Sequence, residues 1–179
     1  MKKLIFPFIG ALLLLTISQC DVFAQEEIQK GDFILSPGLG FGYNFNGGIT
    51  IGVNGEYAFS DEISGGGYAA FTHWGGYNYY YGTSYYSYDI NYLDIGARAS
   101  YHFGKLLKVP NKKFDPYAGA QIGFAIAMYD DAVGSNPYDG GVRGGLYAGA
   151  RWYFNEQVGV FGEVGFALCP IMLGATFKF

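Results

Sequence analysis

Four segments of the chain alternate apolar and polar residues with a period of two. They run from Ile49 to Phe59, from Leu93 to Phe103, from Leu146 to Phe154 and from Ile171 to Phe179. Successive side chains of a β-strand point to opposite faces, so each segment is predicted to be a strand with one apolar face and one face of small or polar residues. After Ala24 nothing in the chain has helical period, and no apolar run approaches the roughly 18 residues of a membrane helix.

These four strands end alike, with an aromatic residue, any residue, and then Phe: Tyr57-Ala58-Phe59, Tyr101-His102-Phe103, Trp152-Tyr153-Phe154 and Phe177-Lys178-Phe179. Turn-forming sequences follow three of them, at 60–62, 104–113 and 155–157. Further strand candidates lie between them, near Asp32–Asn44, Ile63–Trp74, Phe114–Tyr129 and Val158–Leu168. The pattern therefore predicts eight strands in an antiparallel up-and-down meander.

Composition indicates which face points outward. Half of the residues are hydrophobic, 15% are charged and 29 are Gly. A soluble barrel carries its charges on the outside, whereas the second face here is mostly Gly, Ala, Ser and Thr. Alternating segments of about ten residues with aromatic girdles are typical of transmembrane barrels. We therefore predict an all-β, eight-stranded antiparallel up-and-down transmembrane β-barrel, with its aromatic strand ends at the periplasmic interface.

The N-terminal segment has the features of an export signal. Two lysines precede an apolar run over 4–17, and a small-residue cleavage pattern ends at Ala24. The run is shorter than the roughly 20 residues of a membrane-spanning helix. We predict a signal peptide over 1–24 and the barrel over 25–179. A lipoprotein signal is the alternative, because Cys20 follows the apolar run, although Gln19 stands where such signals carry a small residue.

Several segments resemble a known family. The C-terminal residues Gly174, Phe177 and Phe179 match the spacing of the signal read by the outer-membrane barrel assembly machinery, with Met172 where a polar residue is usual. Segments 115–120, 149–156 and 161–166 resemble small OmpA/OmpX-like and opacity-type barrels, the outer membrane protein beta-barrel domain family. The resemblance covers about residues 30–179. It implies the barrel fold, the outer membrane of a Gram-negative bacterium and the assembly machinery as a partner, but no particular activity.

The second face carries a few charges that we expect to pair inside the barrel. If the turn 155–157 is symmetric about Glu156, Arg151 lies opposite Phe161 and Glu163 is its diagonal neighbour, about 7–8 Å away. We predict an interior ion pair between Arg151 and Glu163, in a network that is completed from Arg98, Asp94 and Glu56. Such a network would fill the lumen and fix strand register. Eight strands leave an interior that side chains just fill, which excludes a wide pore but leaves a narrow conductance open.

Seven tyrosines fall within residues 77–88, in the second external loop: Tyr77, Tyr79, Tyr80, Tyr81, Tyr85, Tyr86 and Tyr88. Tyrosine mixed with Ser, Gly and Asn is the composition of antibody paratopes. One hypothesis is a recognition surface for a glycan or a protein. The other is that strands three and four continue beyond the membrane, with Tyr as interfacial belt residues.

Catalysis and metal binding find little support in the sequence. Ser100 and His102 share a strand face, and this pair resembles part of the Ser, His and Glu set of outer-membrane lipid A deacylases. Those enzymes place the set near the outer leaflet and facing lipid, whereas His102 is expected near the periplasmic end and facing inward. Asp130, Asp131 and Asp139 lack the spacing of a calcium loop. We expect no enzyme activity, no metal and no cofactor.

The remaining predictions concern partners. Eleven basic residues against fifteen acidic ones give no electrostatic footprint for nucleic acid. The four lysines of connection 104–113 either face water or contact acidic lipid or peptidoglycan, and Cys169 is expected near the external rim as a reactive thiol or a small apolar residue. We predict a monomeric, non-catalytic outer-membrane protein with a structural or surface-interaction role, in contact with outer-membrane lipid and lipopolysaccharide. A small channel and a lipid-modifying barrel enzyme are the alternatives.

Overall fold

The chain forms a closed barrel of eight strands, each antiparallel to the next, with β8 pairing back to β1. This computed structural model describes residues 28–42, 48–81, 84–129, 140–166 and 168–179, with the side chains of 74–90 and 129 outside the description. The strands are β1 (Phe33–Phe41), β2 (Ile49–Ala58), β3 (Ile63–Tyr81), β4 (Ser84–His102), β5 (Phe114–Tyr129), β6 (Gly141–Tyr153), β7 (Val158–Gly165) and β8 (Ile171–Lys178). The predicted fold is confirmed. The predicted signal peptide over 1–24 lies outside the described residues and stays a prediction.

The alternation seen in the sequence separates the two faces of the barrel wall. In β2, Ile49 and Ile51 are 57% and 61% exposed, while Thr50, Asn54 and Glu56 are buried toward the lumen. The same division holds around the barrel, so its outer surface is apolar and its centre is polar. This is the reverse of a soluble barrel. Within the described ranges, no helix has both the length and the apolar character needed to cross a bilayer.

The aromatic strand ends lie together at one end of the barrel, because all even-numbered strands run toward it. The rings of Tyr57 and Phe59 meet edge to face at 5.5 Å between centroids, and those of Tyr101 and Phe103 do so at 5.0 Å. Phe179 completes the ring on the outer surface and is 60% exposed. We call this end the girdle end, and the opposite end the hairpin end.

Strands β3 and β4 are longer than predicted. Each has 19 residues, against the roughly 9–11 that a membrane-spanning strand needs. Their pairing continues, after an irregularity between Trp74 and Tyr77, as far as Tyr81 and Ser84. Of the two hypotheses for residues 77–88, the structure supports the continuation of strands three and four: residues 77–81 and 84–88, which we call the tyrosine hairpin, form a two-stranded ribbon. Its tyrosines favour strand over loop because aromatic residues stabilise cross-strand pairs.

Strand β7 ends at Gly165, three residues before the predicted end at Leu168. Beyond Gly165 the connection to β8 turns into the lumen, where Leu168 and Cys169 pack against Phe161 and Met172.

Glycine permits the closest approach of neighbouring strands elsewhere in the wall. A Cβ atom at Gly66 would overlap the backbone oxygen of Gly55, so a side chain there would force β2 and β3 apart.

Candidate functional site

A buried carboxylate joins two guanidinium groups in the half of the lumen nearer the girdle end. Glu56 comes from β2, Arg98 from β4 and Arg151 from β6, each at an inward-facing position. Arg98 Nε lies 2.5 Å from Glu56 Oε1, and Arg151 Nη2 donates a hydrogen bond of 3.1 Å to Glu56 Oε2. All three side chains are almost completely buried. Glu56 therefore ties together three alternate strands of the wall.

Two further carboxylates extend this arrangement across the lumen. Arg98 Nη2 donates to Glu163 Oε2 at 2.8 Å, and Arg151 Nη1 donates to Asp115 Oδ2 at 3.1 Å. The result is a chain of alternating charge, Glu163–Arg98–Glu56–Arg151–Asp115, which we call the interior network. Because buried charges are costly unless each has partners, alternation along this chain is what makes so many charges tolerable in a narrow lumen.

The predicted geometry of Arg151 and Glu163 is right in register and wrong in pairing. Arg151 does lie opposite Phe161. It does not pair directly with Glu163, because Tyr117 lies between them: the Tyr117 ring covers Arg151 with its centroid 4.1 Å from Cζ, and its hydroxyl donates to Glu163 Oε2 at 3.1 Å. The two residues are instead joined through Glu56 and Arg98.

Asp94 also faces the lumen and is buried, but it lies outside the interior network. It precedes Arg98 by four residues on β4, which places it roughly 13 Å nearer the hairpin end at about 3.3 Å per residue. Of the five interior charges predicted from the sequence, the structure thus brings together Arg151, Glu163, Arg98 and Glu56.

Two tyrosines complete the interior network, and sequence reasoning missed both. The ring centroid of Tyr147 lies 4.0 Å from Arg98 Cζ, and that of Tyr117 lies 4.1 Å from Arg151 Cζ, so each guanidinium has an aromatic face against it. Such contacts stabilise a desolvated cation. The available signal was parity: Tyr147 shares the inward face of β6 with Arg151, and Tyr117 shares that of β5 with Asp115.

A serine, a histidine and an aspartate stand in line beside Glu56. Ser64 Oγ lies 2.9 Å from His102 Nε2, and His102 Nδ1 lies 2.9 Å from Asp115 Oδ1. This is the order of groups in a nucleophile–base–acid triad. The sequence had suggested Ser100 beside His102, but Ser100 contacts Glu56 and the hydroxyl of Tyr147 instead.

The surroundings of Ser64 oppose a catalytic role. Its hydroxyl donates to Glu56 Oε2 at 2.9 Å, so the Ser64 oxygen is left to accept a hydrogen bond from His102 Nε2. A general base must do the reverse and take the serine proton. Ser64 is also fully buried, and Asp115 is shared with Arg151. These three groups form a chain of hydrogen bonds that links β3, β4 and β5.

Apolar side chains occupy the lumen on the hairpin side of the interior network. Leu168 reaches Tyr92 and Ala125, and Cys169 packs with Phe161 and Met172 as a small apolar residue. Between this apolar plug and the charges, a cavity lined by Asn54, Gln121 and neighbouring side chains has room for roughly one water molecule. An apolar layer therefore covers a charged one.

The tyrosine hairpin projects from the hairpin end of β3 and β4. Its backbone register pairs position 77 with 88, 79 with 86 and 80 with 85. Alternation along a strand then assigns five of the seven tyrosine positions to one face of the ribbon: Tyr77, Tyr79, Tyr81, Tyr86 and Tyr88. Tyr80 and Tyr85 fall on the other. The three acidic residues considered for calcium, Asp130, Asp131 and Asp139, lie outside the described residues.

The residues of the predicted assembly signal lie along the seam between β8 and β1. Gly174 pairs with Gly38, and a Cβ atom there would overlap the backbone oxygen of Pro37. Phe179 exchanges two backbone hydrogen bonds with Phe33, at 2.9 and 3.0 Å. Phe177 pairs with both Leu35 and Val158. Their role as a signal stays a prediction.

Comparison with known proteins places this fold. No family model and no curated protein matches the chain. Among solved structures, the outer membrane protein OprG from Pseudomonas aeruginosa matches with 15% identity and a TM-score of 0.65, over 88% of this chain and 99% of that one. The N-terminal β-barrel domain of Pseudomonas aeruginosa OprF matches with 18% identity and a TM-score of 0.52, over 84% and 98%.

A third match is Ail, the attachment invasion locus protein of Yersinia pestis, in complex with the heparin analogue sucrose octasulfate. It has 17% identity and a TM-score of 0.52, over 84% of this chain and 100% of that one. At these identities the likeness is one of fold. The chain therefore has the architecture of the small eight-stranded outer-membrane barrels.

Proposed function

We propose that this protein is an integral outer-membrane barrel without catalytic activity, which anchors the tyrosine hairpin at the cell surface as an interaction element. The observation that carries the proposal is the inverted distribution of residues: the outer wall is apolar, as at Ile51 and Leu146, and the centre is charged. Water would disfavour that exterior, whereas lipid favours it. A closed barrel also pairs every strand edge, which the hydrocarbon region requires.

The side chains that fill the lumen support a structural role over transport. In the interior network Glu56 contacts both Arg98 and Arg151, and Leu168 and Cys169 cover these charges on the hairpin side. An ion crossing the lumen would have to separate buried pairs, each of which costs several kcal/mol to break. The hydrogen bonds of Ser64 argue against hydrolysis, because its hydroxyl donates its proton to Glu56 and not to His102.

The tyrosine hairpin supports a role at the surface. Residues 75–88 contain no charged side chain, so a ligand there would be held by ring faces and neutral hydrogen bonds. Ail, whose name describes attachment, has been crystallised with a sulfated ligand. An uncharged ribbon fits a neutral glycan or a protein surface better than a polyanion. The outer-membrane lipid, lipopolysaccharide and the barrel assembly machinery complete the set of proposed partners.

The membrane-barrel proposal is tested by refolding the purified protein into lipid vesicles. Heating should change its migration on a gel, because closed barrels resist detergent until heated, and planar bilayers should show no conductance steps. Absence of heat-modifiable migration would contradict a membrane barrel. Regular conductance steps would favour the channel alternative, and a lipid A mass change caused by the protein would favour the enzyme.

The surface role has a separate test. A variant in which residues 77–88 are replaced by a short turn keeps the pairs of β3 with β4 from Ile63 to Trp74. It should therefore remain heat-modifiable while losing binding to glycan or protein arrays. Equal binding by the two proteins would refute recognition through the tyrosine hairpin.

A further inference from the structure

The longest connection at the girdle end has a defined conformation. It joins β4 to β5 over residues 103–113, whereas the connections from β2 to β3 and from β6 to β7 have four residues each. Leu107 N donates to Phe103 O at 2.9 Å and Val109 N donates to Gly104 O at 3.0 Å. Lys108 adopts a φ of 49°, in the left-handed region. We call residues 104–113 the leucine–lysine turn.

This turn has two different sides. Gly104, Val109 and Asn111 line a small cavity at the mouth of the barrel, and the exposed Lys112 borders it. Leu106 and Leu107 lie on the other side and are 64% and 62% exposed. Two adjacent leucines are thus held away from the barrel by a compact turn, although burying them would be favourable.

The lysines of the turn differ in how far their charge is neutralised. Lys105 Nζ donates to Asp61 Oδ2 at 2.5 Å and lies 3.6 Å from Glu62 Oε1, so two carboxylates of the β2–β3 turn offset it. Among the residues that the structure describes, neither Lys108 nor Lys112 forms an ion pair. Residues 104–113 include no acidic residue. Lys108 therefore carries free positive charge directly beside the exposed leucine pair, and Lys112 adds a second free charge at the rim of the cavity.

We propose that the leucine–lysine turn docks on anionic phospholipid in the bilayer leaflet at the girdle end. Leu106 and Leu107 enter the boundary between headgroups and acyl chains, and Lys108 and Lys112 contact the headgroup phosphates. Exposed apolar residues beside basic ones are the combination by which proteins hold a lipid surface. The inference rests on the proposed membrane location and adds a lipid class and a site to it.

The position of the turn fits this partner. Phe103 belongs to the aromatic girdle, and Leu106 follows it by three positions, so the leucine lies within about 11 Å of the girdle along the chain. Girdle aromatics sit at headgroup level. The leucine pair is therefore within reach of the interface, on the same side of the bilayer as the lysines.

The test places a benzophenone-bearing amino acid at position 106 and refolds the protein into vesicles of equal phosphatidylcholine and phosphatidylglycerol. Irradiation followed by mass spectrometry identifies the cross-linked lipid. The phosphatidylglycerol adduct should exceed the phosphatidylcholine adduct on the order of fivefold for each lysine in contact, the equivalent of about 1 kcal/mol per lysine at low salt. High salt should reduce the preference.

Two variants make the result specific. Lys108→Gln combined with Lys112→Gln should bring the adduct ratio close to one, while Lys105→Gln, which changes the same charge on the same turn, should retain the preference because Asp61 and Glu62 already neutralise Lys105. Equal lipid adducts in the unsubstituted turn would overturn the anionic preference. No lipid adduct in a sample that is heat-modifiable would overturn docking altogether, and retention on isolated peptidoglycan would then assign the turn to the cell wall. Loss of heat-modifiable migration would instead refute the membrane barrel itself.

Discussion

Replacing Arg151 with methionine should be the most damaging single change in the lumen. Its guanidinium contacts Glu56 and Asp115 at 3.1 Å each and lies against the Tyr117 ring. Methionine fills much of the same volume but supplies no charge, so two buried carboxylates lose a partner. Removing one side of a buried pair costs about 3–5 kcal/mol. Since Glu56 keeps Arg98 and Asp115 keeps His102, we expect the lower end, about 3 kcal/mol of unfolding free energy.

Arg143→Met is the matched control. Arg143 lies on the same strand and the same face as Arg151, eight positions nearer the hairpin end, with the Tyr92 ring centroid 4.9 Å from its Cζ. Its side chain is only half-buried, so the expected loss is smaller, about 1 kcal/mol or less. Unfolding in urea, followed in vesicles by the heat-modifiable gel shift, gives both free energies. A loss for Arg151→Met no larger than for Arg143→Met would refute the reasoning.

A double-mutant cycle isolates the pairing itself. Glu56→Gln should cost less in the Arg151→Met background than in the wild-type protein, because one of its two cationic partners is already gone. Additivity within about 0.5 kcal/mol would show that the two side chains do not interact energetically.

Three further predictions follow from single contacts. Ser64→Ala should lower the unfolding free energy by about 1–3 kcal/mol, because buried Glu56 loses a hydrogen-bond donor. The wild-type protein should give no mass adduct with a fluorophosphonate, a reagent for activated serines. Labelling of Ser64 would contradict a purely structural role for its hydrogen bonds. Gly66→Ala should prevent or strongly weaken barrel formation, whereas Gly141→Ala, where a Cβ meets nothing within 4 Å, should leave the urea midpoint unchanged. The hydrogen bond from Lys105 holds the pKa of Asp61 below its ordinary value of 3.8. The contribution of the Asp61–Lys105 contact to stability is therefore complete above pH 3.8 and is lost as the pH falls through the lowered pKa of Asp61. In an NMR titration, the midpoint of the Asp61 carboxyl should rise in Lys105→Gln. An unchanged midpoint would show that Lys105 is not what lowers the pKa.

The wall of the barrel could be predicted because its determinants are local. Alternation with period two needs only neighbouring residues, so the bounds Phe114–Tyr129 and the inward position of Arg151 are as predicted. The register of Arg151 with Phe161 follows from one short turn. The outward-facing and lumen-facing residues could be separated for the same reason.

Contacts across the lumen could not be predicted in this way. They depend on how far each strand is staggered around the closed barrel, which brings Glu56 to Arg151 over 95 positions of sequence. Pair arithmetic on adjacent strands therefore chose Glu163, and gave no hint that Tyr117 would fill the space between. Asp115 was missed because it stands before Pro116 at the start of a strand, where an aspartate is ordinarily a turn residue.

The seam between β1 and β8 determines the order in which such a chain can be completed. All other neighbouring strands are also neighbours in sequence, whereas the hydroxyl contact between Ser36 and Thr176 spans 140 positions. Because the chain between β1 and β8 is the longest loop that any of these pairings closes, this pairing carries the greatest loss of conformational entropy. The β1–β8 seam is therefore expected to form after the seven other pairings. Until then, both lateral edges stay available to any extended strand nearby. A chain that has not yet closed this seam can pair through its open edges with other chains and aggregate. A factor that assists barrel assembly would therefore act most usefully by protecting these two edges until β1 and β8 pair.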